Sequence, residues 1–380
     1  MLKFGLIGCG RIGSMHADIL HHENDVMLDS VFDLNTNLAK AVSKKTGAKI
    51  CNHDFELFDN NNLDAVLIAS ATSSHADYIE KALKNGKPVF CEKPIDLSLD
   101  RIRKCYERIK NINLPIQIGF NRRFDPSHAA IKKLLKENKI GQLNQVIITS
   151  RDPEMPSEDY YKSAGGLFKD MTIHDFDLAR FYLDEDPVEI FATGQRLIDP
   201  TMMNKINDYD TAMFILTCMD GKQCFINNSR TAVYGYDQRV ELLGSNGMLQ
   251  SGNHNLDQTK IYKKEFSETS SPYLYFFIER YKEAFSLQLK SFIKSIKQNS
   301  STDVGFEDGF KALAIADAAY KSLKEKKSIS INSRVLNYCG GGIAASLDAF
   351  VLLQLGYDDI EIYDNSMSEW ATDDSLPIEI

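Results

Sequence analysis

Residues 2–13, LKFGLIGCGRIG, constrain this chain more than any other stretch. An apolar run is followed at once by Gly8, Gly10 and Gly13 in the order GxGxxG, and a helical pattern opens near Ile12. A strand that turns tightly into a helix points the helix's free amides and its positive dipole end at one spot. With Arg11 and Ile12, these glycines predict a cradle for a pyrophosphate in a doubly wound α/β fold. Asp33 closes the next apolar run, VFD, about twenty residues after the third glycine, where a carboxylate accepts from ribose hydroxyls and repels a 2′-phosphate. NAD is therefore expected over NADP. The plainer reading is that the glycines only turn the chain and Asp33 caps the following helix.

The alternation continues beyond the motif. Residues 3–7, 27–32, 65–69, 89–91 and 116–120 read as strands between helix-like stretches, which predicts a parallel sheet covered on both faces. We expect an NAD-binding Rossmann domain over residues 1–120. From residue 145 the strand candidates lengthen, and 212–218 meets 223–228 across Asp220-Gly221, a hairpin signal. Residues 121–332 are thus expected to form an α+β domain with a large, mostly antiparallel sheet, for substrate binding and oligomerisation. Over 273–296, Phe277, Tyr281, Phe285, Leu289, Phe292 and Ile296 fall on one helix face, read as core or subunit contact. Another amphipathic helix is expected over 306–324.

At 380 residues the chain exceeds what one core usually serves. Its net charge of -9 argues against nucleic acid or an acidic membrane as partner, because phosphate neutralisation needs clustered Lys and Arg. Seven scattered cysteines with no CxxC pair suggest a reducing cytoplasm, and no zinc-type ligand spacing is present. No export signal and no membrane-length apolar run are visible. A small-molecule ligand fits best, and no metal is expected.

The richest group of ionisable side chains lies in GGLFKDMTIHDFDLARF. Asp170 and His174 are four apart, so on an α-helix they share a face, and the carboxylate would orient the imidazole and tune it as a base near neutral pH. Oxidation would then rise with pH as His174 loses its proton. The alternative for such a pair is a core histidine satisfied by a local carboxylate.

GLIGCGRIGSMHA, TSSHADYI and GKPVFCEKP resemble the family named for glucose-fructose oxidoreductase, inositol dehydrogenase and the rhizopine catabolism protein. The stretch around Asp170 is similar to the active-site helix of the family's inositol dehydrogenases. The resemblance runs to about Asn332. It implies NAD-linked oxidation of a ring hydroxyl of a polyol or sugar, with the 2-hydroxyl of myo-inositol leading and another inositol isomer or sugar as alternative. It implies Lys93, beside the nicotinamide and followed by an often cis proline, as the group that polarises the hydroxyl. His174 becomes the base, and Asp170 positions both and binds substrate. Ser70, Thr72, His75 and Glu92 would border the cofactor, although His75 also reads as a first-turn helix residue. Arg122, from GFNRRFDPSH, and Tyr236, from YGYDQRVE, would grip ring hydroxyls. Arg123 reads as a structural ion pair, Asp152 as a turn before proline and Tyr234 as packing. His16 and the remaining histidines read as surface or packing residues. Such a fold can keep its pocket without catalysis, but intact Lys93, Asp170 and His174 speak against a non-catalytic NAD- and sugar-binding regulator. Relatives of this kind usually assemble as homotetramers.

Residues 334–380 resemble the C-terminal half of a rhodanese-type sulfurtransferase domain, with Cys339 at the sulfur-carrying position. The matching N-terminal half is missing. An incomplete rhodanese-like fragment over 333–380 is expected, not a second enzyme.

Overall fold

The computed structural model describes residues 1–331 and the backbone of residues 334–337 and 359–362. It divides into two units, Met1–Ser328 and Ile329–Ile380. The first sheet contains β1 (Leu2–Ile7), β2 (Val26–Phe32), β3 (Lys49–Ile50), β4 (Ala65–Ile68), β5 (Val89–Cys91) and β6 (Ile116–Ile118). All are parallel, in the order β3-β2-β1-β4-β5-β6. The central strands are near-continuous apolar runs because helices bury both faces; every residue of β4 is fully buried. The strand order reverses between β1 and β4, where a doubly wound sheet opens a crevice at its carboxyl ends.

Both faces are completed by helices from the far end of the unit. Leu289, Phe292 and Ile293 of helix Lys282–Gln298 pack with Phe4, Leu6, Leu67 and Phe90. Val304, Phe306, Ala312 and Leu313, mostly from helix Phe306–Glu325, pack with Ile95, Ile102 and Ile118. Burying a large apolar side chain contributes about 1.5–3 kcal/mol, so the sheet of residues 1–120 depends on helices that follow residue 280. A division after residue 120 describes the order of the sheets and not the packed layers. The expected helix over 273–296 begins only at Phe277 and is interrupted at Tyr281. Tyr273 bridges Asn255 instead, and the Leu274 amide donates to His254 O at 2.9 Å, so tertiary hydrogen bonds hold this stretch extended.

The second sheet contains β7 (Leu143–Arg151), β8 (Glu189–Gln195), β9 (Thr211–Thr217), β10 (Gln223–Ser229), β11 (Asp237–Gly244) and β12 (Gly247–Ser251). The order β12-β11-β7-β10-β9-β8 is antiparallel except for β7 with β10. Gly221, at φ +87°, closes the β9–β10 hairpin. One face packs on helix Ile173–Leu183, where Phe176 meets Phe214 edge-on at 5.2 Å. On the other face the register lines up Phe191, Ile215, Phe225 and Ile147 across four strands, with Phe191, Ile215 and Ile147 exposed.

In the second unit Arg334–Asn337 pairs in parallel with Asp359–Ile362. Cys339 and the rest of the expected rhodanese-like fragment lie outside the described residues. No helix among the described residues is long and apolar enough to cross a membrane.

Candidate active site

The three glycines serve different ends. A Cβ on Gly8, at φ +90°, would lie 2.4 Å from Ala69 O, and one on Gly13 would lie 1.9 Å from Gly8 O. Both are needed so that β1 and β4 can close on the helix start. A Cβ on Gly10 would meet nothing within 4 Å. No protein atom explains that glycine, whereas a pyrophosphate approaching the backbone does. Gly10 stands before helix Arg11–His22 with no side-chain cap, leaving the helix's first amides for an anion. These residues therefore fit NAD.

Asp33 ends β2 and accepts from Cys9 N at 2.6 Å and Asn35 N at 2.7 Å. Beside it a cavity of about 350 Å³ is lined by Phe32, Leu34, Cys51, His53 and Tyr78. Arg11 lies over the rings of Phe276 and Phe277, at 5.5 and 5.6 Å. Ile12 sits on the first turn of the same helix. Ser70, at the end of β4, bonds Ser74 Oγ at 2.7 Å, and Thr72 opens the short turn between them. His75, expected to border the cofactor, is 1% exposed, and its ring nitrogens meet Pro94 O at 2.7 Å and Ser70 O at 3.0 Å. It is a strut between two loops.

Glu92 also has a partner hidden from sequence, because His16 Nε2 lies 2.6 Å from its Oε1. His16, read above as surface or packing, is fully buried and ties the phosphate helix to the turn that carries Lys93. The Lys93-Pro94 peptide is cis.

Lys93 Nζ donates to Asp170 O at 2.7 Å and to Asp170 Oδ1 at 3.2 Å. The same Oδ1 accepts from the Tyr160 hydroxyl at 3.0 Å, and Oδ2 from Arg230 Nη2 at 2.9 Å. Burial pushes the Asp170 carboxyl up, but the Lys93 and Arg230 cations outweigh it and hold it below the usual range.

The expected Asp170–His174 contact does not form. Asp170 lies in the π-helical turn Leu167–Thr172, ahead of the α-helix that carries His174, and its carboxylate oxygens are taken up by Lys93, Tyr160 and Arg230 instead. Among the described residues His174 has no hydrogen-bond partner; its Nδ1 is buried without one, leaving Nε2 as the accessible nitrogen. The ring stands edge-on to Phe120 at 5.8 Å. Burial first, and then the Lys93 and Arg122 charges, hold the imidazole's pKa well below its ordinary value. This burial and these charges favour the uncharged ring over the imidazolium.

Arg122 is also corrected. It is 4% exposed, with Nη1 on Asp175 and Nη2 3.2 Å from Ser150 Oγ, so both terminal nitrogens are engaged by side chains of the protein. Tyr236 is buried, edge-on to Tyr281 at 6.2 Å. Arg123 pairs with Asp177 and Asp308. Asp152 is more than a turn residue, because its Oδ2 accepts from Arg230 at 2.9 Å. Sequence reasoning missed Arg230 and Tyr160 altogether: neither stands in a recognisable motif, and their role depends on β10 and helix Glu158–Ala164 meeting at Asp170. Among the described residues Glu185, Cys218 and Asp220 approach within 4.8 Å, but Lys222 pairs with both carboxylates.

Taken together, these parts can draw a proton and a hydride from one carbinol, with NAD held at the crevice. This is an NAD-dependent oxidoreductase acting on CH–OH. Models of an oxidoreductase family's NAD-binding Rossmann fold and of the GFO/IDH/MocA C-terminal domain match residues 2–120 and 128–250. The chain belongs to the GFO/IDH/MocA family. It is 42% identical to the inositol 2-dehydrogenase of Rhizobium meliloti, over 87% of this chain and 99% of that protein. The crystal structure of a myo-inositol dehydrogenase from Corynebacterium glutamicum is 38% identical with a TM-score of 0.84, covering 87% of this chain and 99% of that one. The scyllo-inositol dehydrogenase of Lactobacillus casei, solved with NAD(H) and scyllo-inositol, is 28% identical with a TM-score of 0.81, covering 88% and 100%.

Proposed function

We propose that the protein oxidises the 2-hydroxyl of myo-inositol to the 2-ketone, with Lys93, Asp170 and His174 as the working side chains. NAD, when bound, accepts the hydride. It is held by Gly8, Gly10, Arg11, Ile12, Gly13, Asp33, Ser70, Thr72, Glu92 and Lys93. His174 takes the hydroxyl proton on Nε2. Lys93 holds the same oxygen and stabilises the negative charge it gains as the C–H bond breaks. Asp170 fixes the lysine from its other side, and Tyr236 offers its hydroxyl to the ring.

The observation that carries this reading is the pairing of Lys93 with Asp170 across 77 residues of chain, beside an uncharged, unpartnered His174. The likeness to inositol dehydrogenases supports the substrate class. Absorbance at the NADH band, with myo-inositol, other inositols and aldoses each run with NAD and NADP, tests it; turnover of aldoses alone would overturn inositol.

We assign the row Phe191, Ile215, Phe225 and Ile147, exposed at all but the half-buried Phe225, to contact between copies in a homotetramer, since a contiguous apolar strip on an open sheet favours burial. Light scattering should find Ile215→Glu smaller than wild type; equal masses would reject the assignment. We place the enzyme in the cytoplasm, in keeping with six free thiols among the described residues.

A further inference from the structure

Arg230 occupies the position just past β10 and is 3% exposed. Its fork is divided between two acids, Nη1 on Asp152 Oδ2 and Nη2 on Asp170 Oδ2, each at 2.9 Å. Its guanidinium lies over the Tyr161 ring at 5.0 Å, which fixes the plane of the fork. We propose that Arg230 is a positioning residue for the oxidation: by taking Oδ2 of Asp170 it leaves Lys93 only a shared hold on Oδ1, and so keeps the ammonium free to meet the reacting oxygen.

The groups facing Asp170 are Lys93, Arg230 and the Tyr160 hydroxyl, with Asp152 beyond Arg230. Two acids and two cations balance. Without Arg230, two carboxylates would share this buried region with Lys93 as the only cation among these groups, and one acid would take up a proton. Either outcome spoils the lysine: an ionised Asp170 would hold it with both oxygens, and a protonated one would release it. A guanidinium fork reaches two acids at fixed geometry, which an ammonium cannot do.

This inference rests on the assigned roles of Lys93 and Asp170, but its first test needs no substrate. Titration of Asp170 by carboxyl-carbon NMR in the full-length protein, assigned with Asp170→Asn, should show its midpoint raised by about one unit or more in Arg230→Gln, the size of effect one close opposite charge exerts. An unchanged midpoint would overturn the proposal. Arg230→Lys keeps the charge and is the safer variant for folding. It should hold the low midpoint, yet lower kcat with myo-inositol about tenfold, with the KM for NAD unchanged; that ratio corresponds to about 1.4 kcal/mol in the barrier. Wild-type kcat in Arg230→Lys would overturn the proposal too. A wild type inactive on every inositol would instead refute the functional reading, and the NMR result would still decide the place of Arg230.

Discussion

The two ends of the cofactor cleft are built on different principles. At the phosphate end the groups on offer are backbone amides and one carboxylate, all from residues 8–35, and the glycines allow the backbone to come close. At the proposed chemical end the groups are side chains, from residues 93, 160, 170, 174 and 230, and all but His174 are joined by hydrogen bonds and ion pairs centred on Asp170. Backbone geometry tolerates almost no added atom but is indifferent to distant residues. A buried charge cluster tolerates small shifts in shape but couples all its members, because charges in a low-dielectric site feel one another strongly.

The largest effect should come from the chemical end. His174→Ala and Lys93→Ala are each expected to lower kcat by about 10²-fold or more, the usual effect of removing a proton-transfer group or a donor to a developing oxyanion, while His174→Ala retains its NAD affinity measured by fluorescence. If NAD binding fell in parallel, the two ends would not be separable. At the phosphate end, Gly10→Ala should melt like wild type yet bind NAD about tenfold more weakly, about 1.4 kcal/mol. Gly13→Ala should lower the melting temperature as well, since its Cβ would strike Gly8 O. Equal melting of the two variants would reject the division of labour among the glycines. Asp33 should favour NAD over NADP by about tenfold in kcat/KM, and comparable efficiencies would refute its role.

A smaller effect concerns pH. A lowered histidine pKa means that the base form of His174 is already complete at the ordinary value near 6.5 and is lost only as pH falls below that. The acid limb of kcat/KM should therefore show no midpoint near 6.5 that disappears in His174→Gln; such a midpoint would place His174 in a wetter setting. The smallest effect is expected from cutting the chain after Asn332. The match to the Rhizobium meliloti enzyme accounts for 99% of that protein with 87% of this one, so NAD-linked turnover should be unchanged. A loss would show that the tail supports the enzyme.

The phosphate end was legible from residues 2–33 because a strand, three glycines and an acid act through local backbone geometry, which short-range sequence encodes. The same holds for the alternation that announced the parallel sheet and for Asp220-Gly221 at the β9–β10 hairpin. Asp170 and His174 stood out as an ionisable pair and resemblance added Lys93, but the four-residue spacing misled, because the Asp170 carboxylate meets Lys93, Tyr160 and Arg230 and not His174. Whether Arg122 meets substrate or Asp175, whether His75 meets cofactor or carbonyls, and that His16 meets Glu92 were likewise decided by packing. Periodicity along a chain reports which face of an element is apolar, and glycine and proline report where the backbone must turn. A buried charge, however, pairs with whichever opposite charge the fold brings within reach, as Arg230 does with Asp170 across 60 residues, and that choice belongs to the tertiary structure.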